Sequence, residues 1–213
     1  MPSFQCQFRP FKAINRLVTV WRTSYNNPMP KSASAQKDRL LQLLIQEAFF
    51  KEKITLASGK MSDFYIDARR VTLTAEGAYL SAKVIWDILQ KEPFEAIGGP
   101  TLGADPLVGA IGVLSFQARQ PVQTFLIRKT PKAHGEKQKI EGPPLKPGWR
   151  VVLIDDVATT GQSLVEAIGV LTPLGVEVKK AICLVNRAEG AQEALERHHC
   201  PLISIFNLSD FPL

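Results

Sequence analysis

The stretch "VVLIDDVATTGQS", Val151–Ser163, decides how the rest of this chain is read. Val151 to Ile154 are four consecutive aliphatic residues, the pattern of a strand buried on both faces. The run ends in Asp155 and Asp156, adjacent carboxylates that repel each other. Such a pair is kept where something cationic or hydroxyl-rich sits beside it, or where both acids face water. A turn follows, with Thr159, Thr160 and Gly161, and then a helix beginning near Ser163. The turn's backbone N–H groups and the hydroxyls of Thr159, Thr160 and Ser163 form an anion nest at the positive end of a helix dipole. Gly161 lets the chain approach a phosphate closely. A ligand with a phosphate at one end and vicinal hydroxyls next to it satisfies both halves, and a ribose 5-phosphate fits. The stretch is neither GxxxxGK[ST] nor GxGxxG. A plain helix cap with two surface acids is the bland alternative.

Outward from this stretch, helical and strand signals alternate. "DRLLQLLIQEAFF" and "AEGAYLSAKVIWDILQKE" have helical apolar periods, the second with Ala78, Ala82, Ile85 and Leu89 on one face. "FEAIGG" reads as a strand and Gly103 to Gln117 as a helix. "PVQTFLI" and "WRVVLID" are strands, and "SLVEAIGVLTPLG" is a helix that stops at Gly175. "VEVKKAICLVN" is a long strand, "GAQEALERHH" a helix and "PLISIF" a last strand. The alternation predicts an α/β fold, a mostly parallel central sheet with helices on both faces, whose ligands bind at the carboxyl ends of strands.

Length and composition fit one domain with a full core. No apolar run is long enough to span a membrane. Cys6, Cys183 and Cys200 suggest no disulfide framework and fit a reducing, cytoplasmic setting, with Cys183 a core residue. The net charge of +6 resides in residues 1–37, whose Arg9, Lys12, Arg16, Arg22, Lys31 and Lys37 face no acid. From Asp38 onward the charges balance, which argues against a nucleic-acid partner. Residues 1–37 are expected to be a disordered extension, with Met29 as an alternative start. A transit peptide for organelle import, or a functional basic arm, are the other readings. The phosphate-binding domain is expected over 38–213. His198, His199 and Cys200 read as a surface helix end rather than a metal site.

Arg128–Gly148, "RKTPKAHGEKQKIEGPPLKPG", breaks the rhythm: about twenty residues, densely cationic and almost without apolar content. It is either a solvated surface loop or a mobile cover that carries positive charge to an anionic substrate.

With these residues in hand, "VVLIDDVATTGQS" resembles the phosphoribosyl-pyrophosphate motif of type I phosphoribosyltransferases. Three further stretches resemble the orotate phosphoribosyltransferases among them. They are "ITLASGKMSDFYIDARRV", like their N-terminal hood (about 38–72 here); "GGPTLGADPL", like their pyrophosphate loop; and "RKTPKAHGE", like their catalytic loop. The resemblance implies transfer of ribose 5-phosphate to orotate, giving orotidine 5′-monophosphate and pyrophosphate, a step of pyrimidine biosynthesis. It implies Asp155 and Asp156 on the ribose hydroxyls, with Asp155 an indirect Mg²⁺ partner. Val157, Ala158, Thr159, Thr160, Gly161, Gln162 and Ser163 would surround the 5-phosphate. Arg128, Lys129, Lys132 and His134 would serve the pyrophosphate, and Tyr65, Ile66, Thr159 and Arg187 the orotate. Lys132, His134 and the two aspartates would be the catalytic set. The family's loop acts on the neighbouring subunit, which implies a homodimer with the loop in trans. Two positions depart from the pattern: Ala57 and Gly103 stand where some members carry lysine. A phosphoribosyltransferase for another base, and a non-catalytic regulator that senses phosphoribosyl pyrophosphate, are the alternatives.

Overall fold

The computed structural model describes residues 30, 32–52, 54–55, 61–90, 92–130 and 139–213. Met29, Ala57, Lys132 and His134 lie outside them. The first helix, α1 (Ala33–Leu43), is capped by Ser32, whose Oγ accepts from Ala35 N–H at 3.2 Å. Residues 33–37 are therefore helical, which corrects their assignment to a disordered extension. They escape an apolar-period reading because this turn docks through Gln36, buried, and through Lys37 over the Phe206 ring at 5.4 Å.

After a π-helical turn, Leu44–Ala48, the hood continues as short strands: β1 (Phe49–Phe50), β2 (Ile54–Thr55), β3 (Met61–Ser62) and β4 (Tyr65–Ile66). β1 pairs antiparallel with β4, and β2 with β3. Then come α2 (Arg69–Thr72), α3 (Ala75–Leu89), β5 (Ala96–Pro100), α4 (Asp105–Gln117), β6 (Gln123–Ile127), β7 (Ile140–Glu141), β8 (Arg150–Ala158), α5 (Gln162–Leu171), β9 (Glu177–Asn186), α6 (Ala191–Glu196) and β10 (Leu202–Asn207). On α3, Ala82, Ile85 and Leu89 are buried as the periodicity requires, while Ala78 is half-buried.

Six strands form one sheet in the order β10-β9-β8-β5-β6-β7, parallel except for β7. Alternation along β8 divides the core between the two faces. Val152 and Ile154 pack with Leu40, Leu80, Ile85 and Leu107 of α1, α3 and α4, whereas Val151 and Leu153 pack with Leu164, Leu171 and Leu195 on the α5–α6 side. Cys183 is fully buried in β9, and burial pushes its thiol up to about 12, as suits a core residue. Beyond α6 the side chains diverge, with Cys200 buried and both histidines exposed.

β7 is the element that the polar composition of Arg128–Gly148 conceals. Ile140 pairs with Ile127 and Glu141 with Leu126, and Arg128 N–H donates to Lys139 O at 2.7 Å. β6 and β7 thus form an antiparallel pair at the sheet edge, and residues 131–138 between them lie outside the described residues.

Candidate functional site

The parallel sheet connects outward in two directions: β5 leads through α4 to β6, and β8 through α5 to β9. β5 and β8 are neighbours at the reversal, the place where an open α/β sheet leaves a crevice. β5 keeps register with β8 only as far as Gly98↔Leu153, whereas β8 stays paired to β9 through Ala158↔Asn186. Asp155 and Asp156 therefore lie within β8 rather than after it, along a free edge. The cavity that opens there has a volume of about 390 Å³, lined among others by Tyr65, Ile66, Lys129, Asp155, Asp156, Val157, Thr159, Thr160, Ser163 and Arg187.

Asp155 is 8% exposed, and burial pushes its carboxyl well above the ordinary range, with the Asp156 charge adding to the rise. Burial also raises Asp156; the Val157 N–H, a hydrogen bond with Asp155 and the charge of Arg69 oppose it. Asp156 N–H donates to Asp155 Oδ1 at 3.0 Å, and Val157 N–H to Asp156 Oδ1 at 2.8 Å. Among the described residues these are the hydrogen bonds that the two carboxylates accept from backbone N–H groups. Opposite them is the turn Pro100–Gly103, whose Thr101–Leu102 peptide is cis. A Cβ at Gly103 would stand 2.3 Å from Asp156 Oδ1 and 2.4 Å from Asp155 Oδ1, so any larger residue here would require both carboxylates to shift.

At the cavity floor α5 begins at Gly161, with φ +78° and no side-chain cap. A Cβ on Gly161 would also press on Ala191 Cα at 3.0 Å. Gln162 N–H reaches Thr160 Oγ1 at 3.4 Å, and the Ser163 and Leu164 N–H groups, with the Thr159, Thr160 and Ser163 hydroxyls as donors, are left for an anion among the described residues. Ala158 is buried, and Gln162 donates its side-chain amide to Glu166 at 2.9 Å, so Ala158, like Gly161, can offer the ligand only backbone, while the Gln162 side chain is turned toward Glu166.

Arg187 closes the far side. It follows β9, is 4% exposed, donates Nε to Glu189 at 2.9 Å and Nη2 to Ser62 Oγ at 3.2 Å, and lies 4.7 Å from the Phe64 ring centroid. It thereby ties the hood to the sheet. Tyr65 reaches the cavity from β4, paired with Phe50 at 6.5 Å between ring centroids.

Three more side chains bear on the site. Among the described residues that line the cavity is Lys129, whereas the neighbouring Arg128 guanidinium pairs with Glu141 at 3.1 Å across the root of the hairpin. Asp67 and Arg69 also line the cavity, which nothing in the sequence indicates beyond their place in the hood stretch. Among the described residues no cluster of three or more His, Cys, Asp or Glu could hold a metal, so any cation here would lean on the aspartate pair and on ligand oxygens. No helix among the described residues is long and apolar enough to cross a membrane.

Comparison with known proteins agrees with this geometry. Residues 81–207 match a family model described as a phosphoribosyl transferase domain. The orotate phosphoribosyltransferase of Aquifex aeolicus is 40% identical over 180 residues, which cover 84% of this chain and 95% of that protein. The orotate phosphoribosyltransferase of Mycobacterium tuberculosis H37Rv superposes with a TM-score of 0.72 at 32% identity, over 84% of this chain and 99% of that one. Its complex with 5-phospho-α-D-ribosyl 1-diphosphate superposes at 0.69 with 30% identity, over 82% and 98%. A sheet whose switch point holds an acid pair beside an open helix N-terminus, and relatives of this similarity over most of both chains, place the protein in the orotate phosphoribosyltransferase family of type I phosphoribosyltransferases.

Proposed function

We propose that this protein transfers the ribose 5-phosphate of phosphoribosyl pyrophosphate to orotate, releasing pyrophosphate. The observation that carries this reading is the convergence, in one cavity, of the aspartate pair, the uncapped start of α5 and Arg187. The 5-phosphate sits on the α5 turn, and Asp155 and Asp156 accept from the ribose hydroxyls. Arg187 presents a fixed, planar cation to the anionic base beside Tyr65 and Ile66. An orotate nitrogen displaces pyrophosphate at the anomeric carbon, so the protein's task is to align two anions and to stabilise the leaving group. The carboxylate oxygens of Asp155 and Asp156 suit a hard cation such as Mg²⁺, held chiefly by substrate and water. When bound, Mg²⁺ would neutralise charge on the pyrophosphate and ribose oxygens. Lys132 and His134 add positive charge and a hydrogen bond from the hairpin arm. Closure of that arm keeps water from the sugar–pyrophosphate bond.

The active unit in this reading is a homodimer. Leu102 in the Pro100–Gly103 turn, and Val113 and Phe116 about one helical turn apart on α4, are 66%, 60% and 76% exposed, and in this reading they form one apolar stripe at the dimer contact. Leu102 also lines the cavity, so a second copy seated on this stripe would stand beside the site its arm must reach. Mixing Lys132→Ala chains with Asp156→Ala chains should then restore activity, since one site of each heterodimer keeps both groups. An absence of rescue would mean that each arm closes its own site. The buried thiols of Cys183 and Cys200 suit the reducing cytoplasm.

The direct test is loss of orotate absorbance with phosphoribosyl pyrophosphate and Mg²⁺, alongside adenine, hypoxanthine and uracil with product analysis. Mg²⁺-dependent consumption of orotate alone is expected. Turnover of another base would reassign the substrate. Tight binding of the sugar pyrophosphate with no turnover would favour a regulator.

A further inference from the structure

Of the cations that line the cavity, two have evident duties. Arg187 is bonded to Glu189 and Ser62 and packed on Phe64, and exposed Lys129 stands at the root of the arm. Arg69 is held differently. Its Nε donates to Asp67 Oδ1 at 2.8 Å, and its backbone N–H reaches the same oxygen at 3.3 Å. Asp67 is itself fixed by its N–H on Ala48 O at 2.9 Å. Among the described residues no acceptor takes the Nη groups of Arg69. The guanidinium is thus anchored through one nitrogen and presents its other two as a fork, the geometry that matches a pair of phosphate oxygens.

The place of that fork matters. Arg69 and Leu102 line both the cavity and the cleft beside it, so Arg69 borders the Pro100–Gly103 turn. Position 103 offers no side chain, and a Cβ there would collide with both aspartates. The 5-phosphate has the α5 turn and the base has Arg187, which leaves the leaving group as the anion without a built-in cation on the sheet side.

Resting on the reading above, we propose that Arg69, pinned by Asp67, is the hood's ligand for the pyrophosphate group and supplies the positive charge that Gly103 does not. Calorimetric titration of Mg²⁺-pyrophosphate into wild type, Arg69→Gln and Arg69→Lys tests this independently of the base. Arg69→Gln should weaken pyrophosphate about tenfold or more and raise KM for phosphoribosyl pyrophosphate in step, with KM for orotate unchanged. Arg69→Lys, which restores the charge without the fork, should fall between. Wild type that fails to bind pyrophosphate, Arg69→Gln that binds it as wild type does, or Arg69→Gln that weakens both substrates alike (a loosened hood) would each overturn the assignment. The base assays separately decide whether the protein uses orotate.

Discussion

The two ends of β8 treat acids in opposite ways. At the start of the strand, Glu95 accepts from Arg150 N–H at 2.7 Å and from its Nε at 3.1 Å, and these bonds, the side-chain ones foremost, push the Glu95 carboxyl down to about 2. At the far end, burial pushes Asp155 and Asp156 upward, and among the described residues no cation is bonded to either. The first end is complete without a ligand. The second carries an unfavourable charge arrangement that a polyhydroxylated ligand or a cation would relieve. Sheet edges at which charge is left unresolved in this way are where function concentrates.

The comparison is sharpened most by the arm. Among the described residues the cavity lining holds Asp67, Asp155 and Asp156 against Arg69, Lys129 and Arg187, a formally neutral set. Under the proposed function a polyanionic substrate needs further positive charge, and Lys132→Ala should lower turnover by about 10²–10³ while orotate still binds. Near-normal turnover would remove Lys132 from the mechanism. Asp155→Asn comes next, with a fall of about ten- to a hundredfold in kcat/KM for phosphoribosyl pyrophosphate, as expected for one hydrogen bond between charged or strongly polar partners.

The same Asp155→Asn change should stabilise the unliganded protein. A carboxyl whose folded value lies above its unfolded one loses stability as pH rises between the two. Near neutral pH the wild type therefore carries the cost of that raised carboxyl, and asparagine, which does not titrate, does not. Thermal melts should show Asp155→Asn above wild type at pH 7, with the gap closing below about pH 4, where the unfolded carboxyl is protonated as well. A lower melting temperature at pH 7 would mean that the carboxylate has a stabilising partner after all.

What was legible in the sequence follows from the range of each signal. Asp155, Asp156 and the Thr159–Ser163 turn stood out because charge interrupts an apolar strand and a helix start follows at once, all within thirteen consecutive positions. That β8 runs on to Ala158 was not legible, since pairing with β9 is a property of two strands. The Arg128–Glu141 pair was not legible either, because Glu141 comes close only when Ile140 and Glu141 pair with β6. Asp67 and Arg69 were overlooked because their i,i+2 pair looks like any surface ion pair until the hood folds over the switch point.

The smallest effect belongs to the completed end of β8. Glu95 and Arg150 are both partly exposed, and exposed pairs contribute little. Here the acid also accepts a backbone N–H at the strand start, so Glu95→Gln should lower the melting temperature slightly at neutral pH and leave catalysis untouched. A carboxyl with a depressed folded value contributes fully above its unfolded value, near 4.5, and loses that contribution as pH falls through about 2. The difference between wild type and Glu95→Gln should accordingly persist from neutral pH down to about 4.5 and fade below it. This is the reverse sign to Asp155→Asn, which gains over wild type at neutral pH and converges with it in acid. Melts of both variants across one pH series would therefore read the two ends of the strand against each other. Curves that moved in the same direction would show that the upper acids are paired like the lower one, and that the cavity is not held in wait for a ligand.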